Sequence, residues 1–125
     1  MSPIFGALED LYVSTRLFFG FKGIPRFLII GAQKSGTTSL YNEIVSHPDV
    51  HETFRKEIGY FNIKHTKYSI NWYFANFPSS GEYCFGEATP DYLFDINAPS
   101  IISKYIPNVR LIVILRDPVE RAVSQ

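Results

Sequence analysis

The residues with the most chemistry in them form one short run, Gly31-Ala32-Gln33-Lys34-Ser35-Gly36-Thr37-Thr38-Ser39. It follows an apolar segment, Phe27-Leu28-Ile29-Ile30, and opens a helix expected over residues 39–46. Successive backbone N–H groups in such a turn, with those of the helix start, make a cradle for an anion. Against the ATP-binding pattern G-x-x-x-x-G-K-[S/T], Gly31 and Gly36 match the glycines and Thr38 the hydroxyl position, but Thr37 stands where the lysine belongs. Lys34 lies earlier, on the crest of the loop. No strand-ending Asp stands ready as a magnesium partner, because Asp117 follows Arg116 and reads as a helix cap. The loop therefore reads as a binder of phosphate-like groups, though not of Mg-ATP in the usual way. A second cation, Arg116, closes the apolar run Leu111-Ile112-Val113-Ile114-Leu115. A guanidinium at a strand's end can grip a phosphate with two hydrogen bonds.

Two strands must carry these groups. Residues 26–31 and 109–115 are continuous apolar runs rich in β-branched residues, without alternation. That pattern predicts parallel strands covered on both faces. Each is followed by helix-start chemistry. After the second, Asp117 fits N-cap, Pro118 the first helical position and Glu120 the third. A third strand is expected at 83–87. Further helices are expected over 71–77, stopped by Pro78, and over 99–105, with Asn97 as cap and Pro107 beyond its end. Strands alternating with helices predict an α/β, P-loop NTPase-like three-layer fold with a mostly parallel sheet. The chain stops at Gln125, inside the last expected helix, so the sheet reads as incomplete at the C-terminus. A small domain that merely ends in a helix is the alternative.

The composition bounds the rest. A chain of 125 residues with 46% hydrophobic content suits one globular domain and is too apolar for disorder. Twelve basic and twelve acidic residues give a formal net charge of +0, which argues against bulk nucleic-acid binding. One cysteine, Cys84, excludes an internal disulfide framework, and His47, His51 and His65 have no ligand-like companions, so no metal is expected. No run approaches the ~20 apolar residues of a spanning helix. Residues 1–24 read as an amphipathic leader packed on a domain that occupies 25–125. Glu9-Asp10 sits where a signal peptide would carry positive charge. The cytoplasm is the expected compartment, and the oligomeric state is not legible.

The stretch from Phe27 to Leu40 resembles the 5′-phosphosulfate loop of sulfotransferases that use 3′-phosphoadenosine 5′-phosphosulfate (PAPS), nearest to the heparan sulfate type and its bacterial relatives. Three further segments agree in order and spacing. They are Lys56-Glu57-Ile58-Gly59-Tyr60-Phe61 with Trp72-Tyr73 and Phe77-Pro78 beyond it, Gly86-Glu87-Ala88-Thr89-Pro90-Asp91-Tyr92, and the run from Leu115 to Ser124. The resemblance covers roughly residues 25–125 and implies sulfuryl transfer to a hydroxyl or amine acceptor, carbohydrate or small molecule. It implies Lys34 as the cation on the leaving group and Glu57 as general base, if partial burial among Ile58, Tyr60 and Phe61 raises its pKa. A surface Glu57 paired with Lys56 or Arg55 is the plainer reading. Ser35, Gly36, Thr37, Thr38 and Ser39 would hold the phosphosulfate, and Arg116 with Ser124 the 3′-phosphate. The related animal enzymes often carry lysine where this chain has Ala88, which puts their detailed mechanism in doubt here. A P-loop nucleotide kinase or ATPase and a truncated, non-catalytic nucleotide-binding protein are the alternatives. The aromatic cluster Tyr60, Phe61, Tyr68, Trp72, Tyr73, Phe74 and Phe77 reads as core rather than as a stacking platform.

Overall fold

In β1 (Phe27–Gly31), successive side chains point to opposite faces of the sheet, and both faces are covered. Leu28 joins one cluster with Val13, Ile58, Tyr60, Phe61, Trp72, Tyr73 and Ile102. Phe27 and Ile29 join another with Tyr41 and Ala88. This alternation makes the three layers, in a computed structural model that describes residues 3–78, 84–117 and 119. Helix α2 (Thr37–Val45) covers the second face through Tyr41, Leu40 and Ile44. The first face is covered by α1 (Pro3–Phe18), α3 (Ile70–Phe74) and α4 (Ala98–Tyr105), through Val13, Trp72 with Tyr73, and Ala98 with Ile102.

The sheet has the order β2-β1-β3, with β2 at Gly86–Ala88 and β3 at Arg110–Val113. Both neighbours run parallel to β1, with Leu28 opposite Glu87 on one side and Leu111 on the other. The chain leaves β1 through α2, returns as β2, and crosses back over the other face through α4 to β3. Connections that diverge to opposite faces open a crevice beyond the carboxyl end of the central strand.

The expectation that residues 109–115 are covered on both faces is corrected. Leu111 is 52% exposed and Leu115 77%, while Ile112 packs inward. Among the described residues β3 pairs only on the β1 side, and nothing described covers the face that carries Leu111 and Leu115. The third strand is shorter than 83–87: it begins at Gly86, Cys84 makes only an isolated bridge to Val50, and Tyr83 lies outside the described residues.

Helix starts follow local chemistry. Ser69 caps α3, its hydroxyl accepting from the Trp72 N–H. Asn97 does not cap α4 with its side chain; Asp95 does, its Oδ1 accepting from the N–H groups of Asn97 and Ala98, both at 2.8 Å. Asp95→Ala should therefore cost about 1 kcal/mol, read as a lowered thermal midpoint, and Asn97→Ala clearly less. Asp117 Oδ1 accepts from the Val119 N–H at 2.9 Å, as a cap does. Pro118 and Glu120 of that expected helix start lie outside the described residues.

Helix α1 is fastened at its middle and near its C-terminal end. The Arg55 guanidinium pairs with Glu9 at 3.0 Å and Asp10 at 2.5 Å. Arg16 donates to the carbonyls of Ala75 and Phe77, at 2.7 and 2.5 Å. Val13 is fully buried between these ties. The acids that count against a signal peptide in the sequence are thus ion-pair partners in the structure. No described helix is long and apolar enough to cross a membrane.

Candidate active site

Three loops meet beyond the carboxyl ends of β1, β2 and β3. The first runs from Ala32 to Gly36. Its backbone takes positive φ at Lys34 (60°) and at Gly36 (84°), with Gly36 as N-cap of α2. A left-handed residue beside an ordinary one turns consecutive N–H groups to the same side. Among the described residues, none of the N–H groups from Lys34 to Ser39 donates to a turn or loop carbonyl. They remain available to an outside acceptor at the positive end of the α2 dipole. Gly31 is needed for a different reason: a Cβ there would lie 2.8 Å from Leu93 Cβ and 3.2 Å from the Pro90 carbonyl, so the loop after β2 approaches over its bare Cα.

Contacts between loops lock the arrangement. Gln33 Nε2 donates to Asp91 Oδ1, joining the loop after β1 to the one after β2. Arg116 Nη1 donates to the Lys34 carbonyl at 2.8 Å, joining it to the segment after β3. Arg116 is thus brought against the crest of the first loop, with its guanidinium exposed. Lys34 is exposed on that crest. Ser35 and Thr37 are buried, while Gly36, Thr38 and Ser39 face outward. The Thr37 side chain, at the position of the ATP-type lysine, is therefore packed into the protein. Ser124 lies outside the described residues.

The 56–59 segment runs beside β2. The Ala88 N–H donates to the Lys56 carbonyl at 2.8 Å, and the Gly59 N–H donates to Thr89 Oγ1 at 3.3 Å. Glu57 is exposed, so burial among Ile58, Tyr60 and Phe61, the condition attached to its role as a base, is not what the structure shows. Those three side chains turn into the core and leave the carboxylate outside.

The carboxylate that is buried is Glu87, with no exposed surface. It accepts from the Tyr73 hydroxyl at 2.6 Å, the Thr89 hydroxyl at 2.6 Å, the Tyr92 hydroxyl at 3.0 Å and the Ile58 N–H at 3.2 Å. Burial pushes its pKa up, while the bonds from Thr89, Tyr73, Ile58 and Tyr92 pull against that rise. Desolvation, reinforced by Glu87, raises both Tyr73 and Tyr92 well above 10.0, so both phenols keep the proton they donate. Glu87 thereby ties β2, α3 and the loop after β2 to the segment that carries Lys56 and Glu57. A lone acid between Gly86 and Ala88 in a short strand was the sequence signal for this knot, since a buried carboxylate must find donors. The aromatic residues from Tyr60 to Phe77 are mainly core: Phe61, Tyr73 and Phe77 are buried, and Tyr68 stacks on Trp72 at 4.2 Å. No group of metal-ligating side chains occurs among the described residues.

A parallel α/β sheet with a loop of unpaired N–H groups at its carboxyl edge, and without the ATP-type lysine, defines a P-loop-like protein. The chain belongs to the sulfotransferase domain family, whose pattern matches residues 25–125. It is 39% identical over 106 residues to the membrane-associated sulfotransferase kil1 of Dictyostelium discoideum, covering 82% of this chain and 22% of that protein. It is 35% identical over 111 residues to the human bifunctional heparan sulfate N-deacetylase/N-sulfotransferase 3, covering 81% of this chain and 12% of that protein. A crystal structure of a sulfotransferase from Alicyclobacillus acidocaldarius superposes with a TM-score of 0.70 at 28% identity, covering 82% of this chain and 48% of that one. The chain thus spans less than a quarter of these curated relatives and about half of the solved structure.

Proposed function

We propose that this chain is the donor-binding part of a PAPS-dependent sulfotransferase that acts on a hydroxyl or amine of a carbohydrate or small molecule. The observation that carries the reading is the Arg116–Lys34 contact, which sets an exposed guanidinium and an exposed ammonium around one loop of unpaired N–H groups. When bound, PAPS supplies a sulfonate joined to a phosphate leaving group. The N–H groups of Ser35 to Ser39 and the hydroxyls of Thr38 and Ser39 hold the phosphosulfate end. Lys34 offsets the charge that grows on the bridging oxygen as the sulfur–oxygen bond breaks. Glu57 takes the proton that the acceptor loses as the new bond to sulfur forms, and its exposure leaves it open to an acceptor arriving from solvent. Arg116, with Ser124, holds the 3′-phosphate. The heparan sulfate relatives support a carbohydrate acceptor through the activity in their names.

Titration calorimetry with adenosine 3′,5′-bisphosphate tests this. Arg116→Ala should weaken binding about tenfold or more, because a charge-assisted bond is lost. Adenosine 5′-phosphate, lacking the 3′-phosphate, should bind the wild type weakly and Arg116→Ala no worse. Equal wild-type affinity for the two nucleotides would remove Arg116 and Ser124 from the 3′-phosphate.

A further inference from the structure

Lys56 is a cation that neither the loop pattern nor the roles above make use of. Its backbone is fixed on both sides. The preceding residue, Arg55, is held by Glu9 and Asp10 of α1. The following residues are fastened along β2 by the bonds from Ala88 to the Lys56 carbonyl and from Ile58 to Glu87. From that anchored position the half-buried side chain crosses to the start of α2, where its Nζ donates to Thr38 Oγ1 at 3.0 Å. Thr38 is in the first turn of the helix whose N–H groups face the cradle.

An ammonium has three donors, and this contact uses one. The others lie at the mouth of a loop whose own N–H groups have no partner among the described residues. Arg116 reaches the same loop through the Lys34 carbonyl, and Lys56 through the hydroxyl of Thr38. The neighbouring backbone position across the Lys56–Ala88 bond offers only a buried methyl group, so the charge on this side of the loop comes from Lys56. The acids nearby in sequence or contact are Glu57, exposed beside it, and Asp91, engaged by Gln33.

We infer that Lys56 is a second cation for the 5′ anionic end of the donor, gripping the phosphosulfate from the side of the loop opposite Arg116, with Thr38 orienting its ammonium. This rests on the donor reading above. A carboxylate adjacent in the chain gives the placement a further use: the lysine holding the donor and the proposed base Glu57 move as one unit, pinned to β2.

The experiment pairs two nucleotides with two variants of the full chain, read by calorimetry. Lys56→Met keeps the length of the side chain and removes the charge; Lys56→Arg keeps the charge. Adenosine 3′,5′-bisphosphate should bind Lys56→Met on the order of tenfold or more weakly than wild type, and adenosine 3′-phosphate, which lacks the 5′ anion, equally well to both. Lys56→Arg should recover most of the loss. Arg116→Ala should instead weaken both nucleotides alike, since both carry the 3′-phosphate. Unchanged bisphosphate affinity in Lys56→Met, or an equal loss for both nucleotides, overturns the assignment while leaving the donor reading standing. A wild-type protein that binds neither nucleotide overturns the donor reading and this inference together. If Lys56→Met melts early, the same comparison is made with Lys56→Gln, and the nucleotide dependence decides in the same way.

Discussion

Lys34→Ala should lower the rate of sulfuryl transfer by roughly 100- to 1,000-fold while leaving affinity for adenosine 3′,5′-bisphosphate within about tenfold. The asymmetry follows from where the side chain sits. On the reading proposed above, donor binding is spread over a row of backbone N–H groups, the α2 terminus and Arg116, none of which the substitution removes. In the same proposal, the ammonium on the crest is the group whose contribution grows as the leaving oxygen becomes charged, and catalysis counts only such differences. The backbone consideration runs the same way: Lys34 takes φ 60°, a conformation alanine adopts at a cost of about 1 kcal/mol, and lysine already bears that strain. Lys34→Arg is the informative companion, since it keeps charge but moves it outward on a longer, planar group. Single-turnover measurements with PAPS and a surrogate amine or hydroxyl acceptor separate the two effects. Turnover in Lys34→Ala equal to wild type would take the residue out of the reaction.

Glu87→Ala should destabilise the fold by roughly 3–5 kcal/mol, a large share of the ~5–15 kcal/mol that holds an ordinary domain folded. The substitution strips the acceptor from two phenols, a threonine hydroxyl and the Ile58 N–H, all buried, and leaves a cavity beside them. Glu87→Gln keeps the shape and one carbonyl acceptor and should cost clearly less. The pair also differs in pH response. A carboxyl whose pKa is raised in the folded chain holds its proton more tightly there than in the unfolded chain. Its contribution is therefore present at low pH and lost as pH rises from the ordinary value of 4.5 through the raised one. Denaturant titrations across that range should show wild-type stability falling relative to Glu87→Gln. Parallel curves for the two proteins would show that Glu87 does not titrate differently on folding.

The loop and its two flanking elements were legible because their signals are local. A strand of β-branched residues, a glycine turn and a helix start lie within a dozen or so positions, and the backbone can satisfy that pattern in few ways. The burial expected of residues 109–115 is not met because periodicity reports what a strand could bury, not what stands next to it; among the described residues β3 pairs only on the β1 side. Asp95 displaced Asn97 as the α4 cap because either side chain can serve, and the turn entering the helix chose the one upstream. Glu57 and Glu87 show the harder limit. Both are single acids, Glu57 after Arg55-Lys56 and Glu87 between Gly86 and Ala88; one is exposed and the other has no exposed surface. The exposure of Glu57 was legible in the basic pair before it, but the burial of Glu87 depends on the sheet register that sets it opposite Leu28 in the central strand, which is not written in its surroundings along the chain. Lys56 escaped notice in the same way, since its ammonium meets Thr38 through the packing of β2 against α2.

The Arg116–Lys34 bond closes a circuit of 82 residues, and the Gln33–Asp91 contact one of 58. Helices such as α1 and α2 can form and dissolve on the microsecond scale, but a sheet whose first strand must wait for partners from so far along the chain assembles late. As the protein is synthesised, the loop exists as a sequence well before the residues that shape it have been made. The shaping of the loop by Asp91 and Arg116 therefore has to await the pairing of β1 with β2 and β3. A donor that engages both the loop and Arg116 would clamp the β1–β3 pairing and stabilise the folded chain.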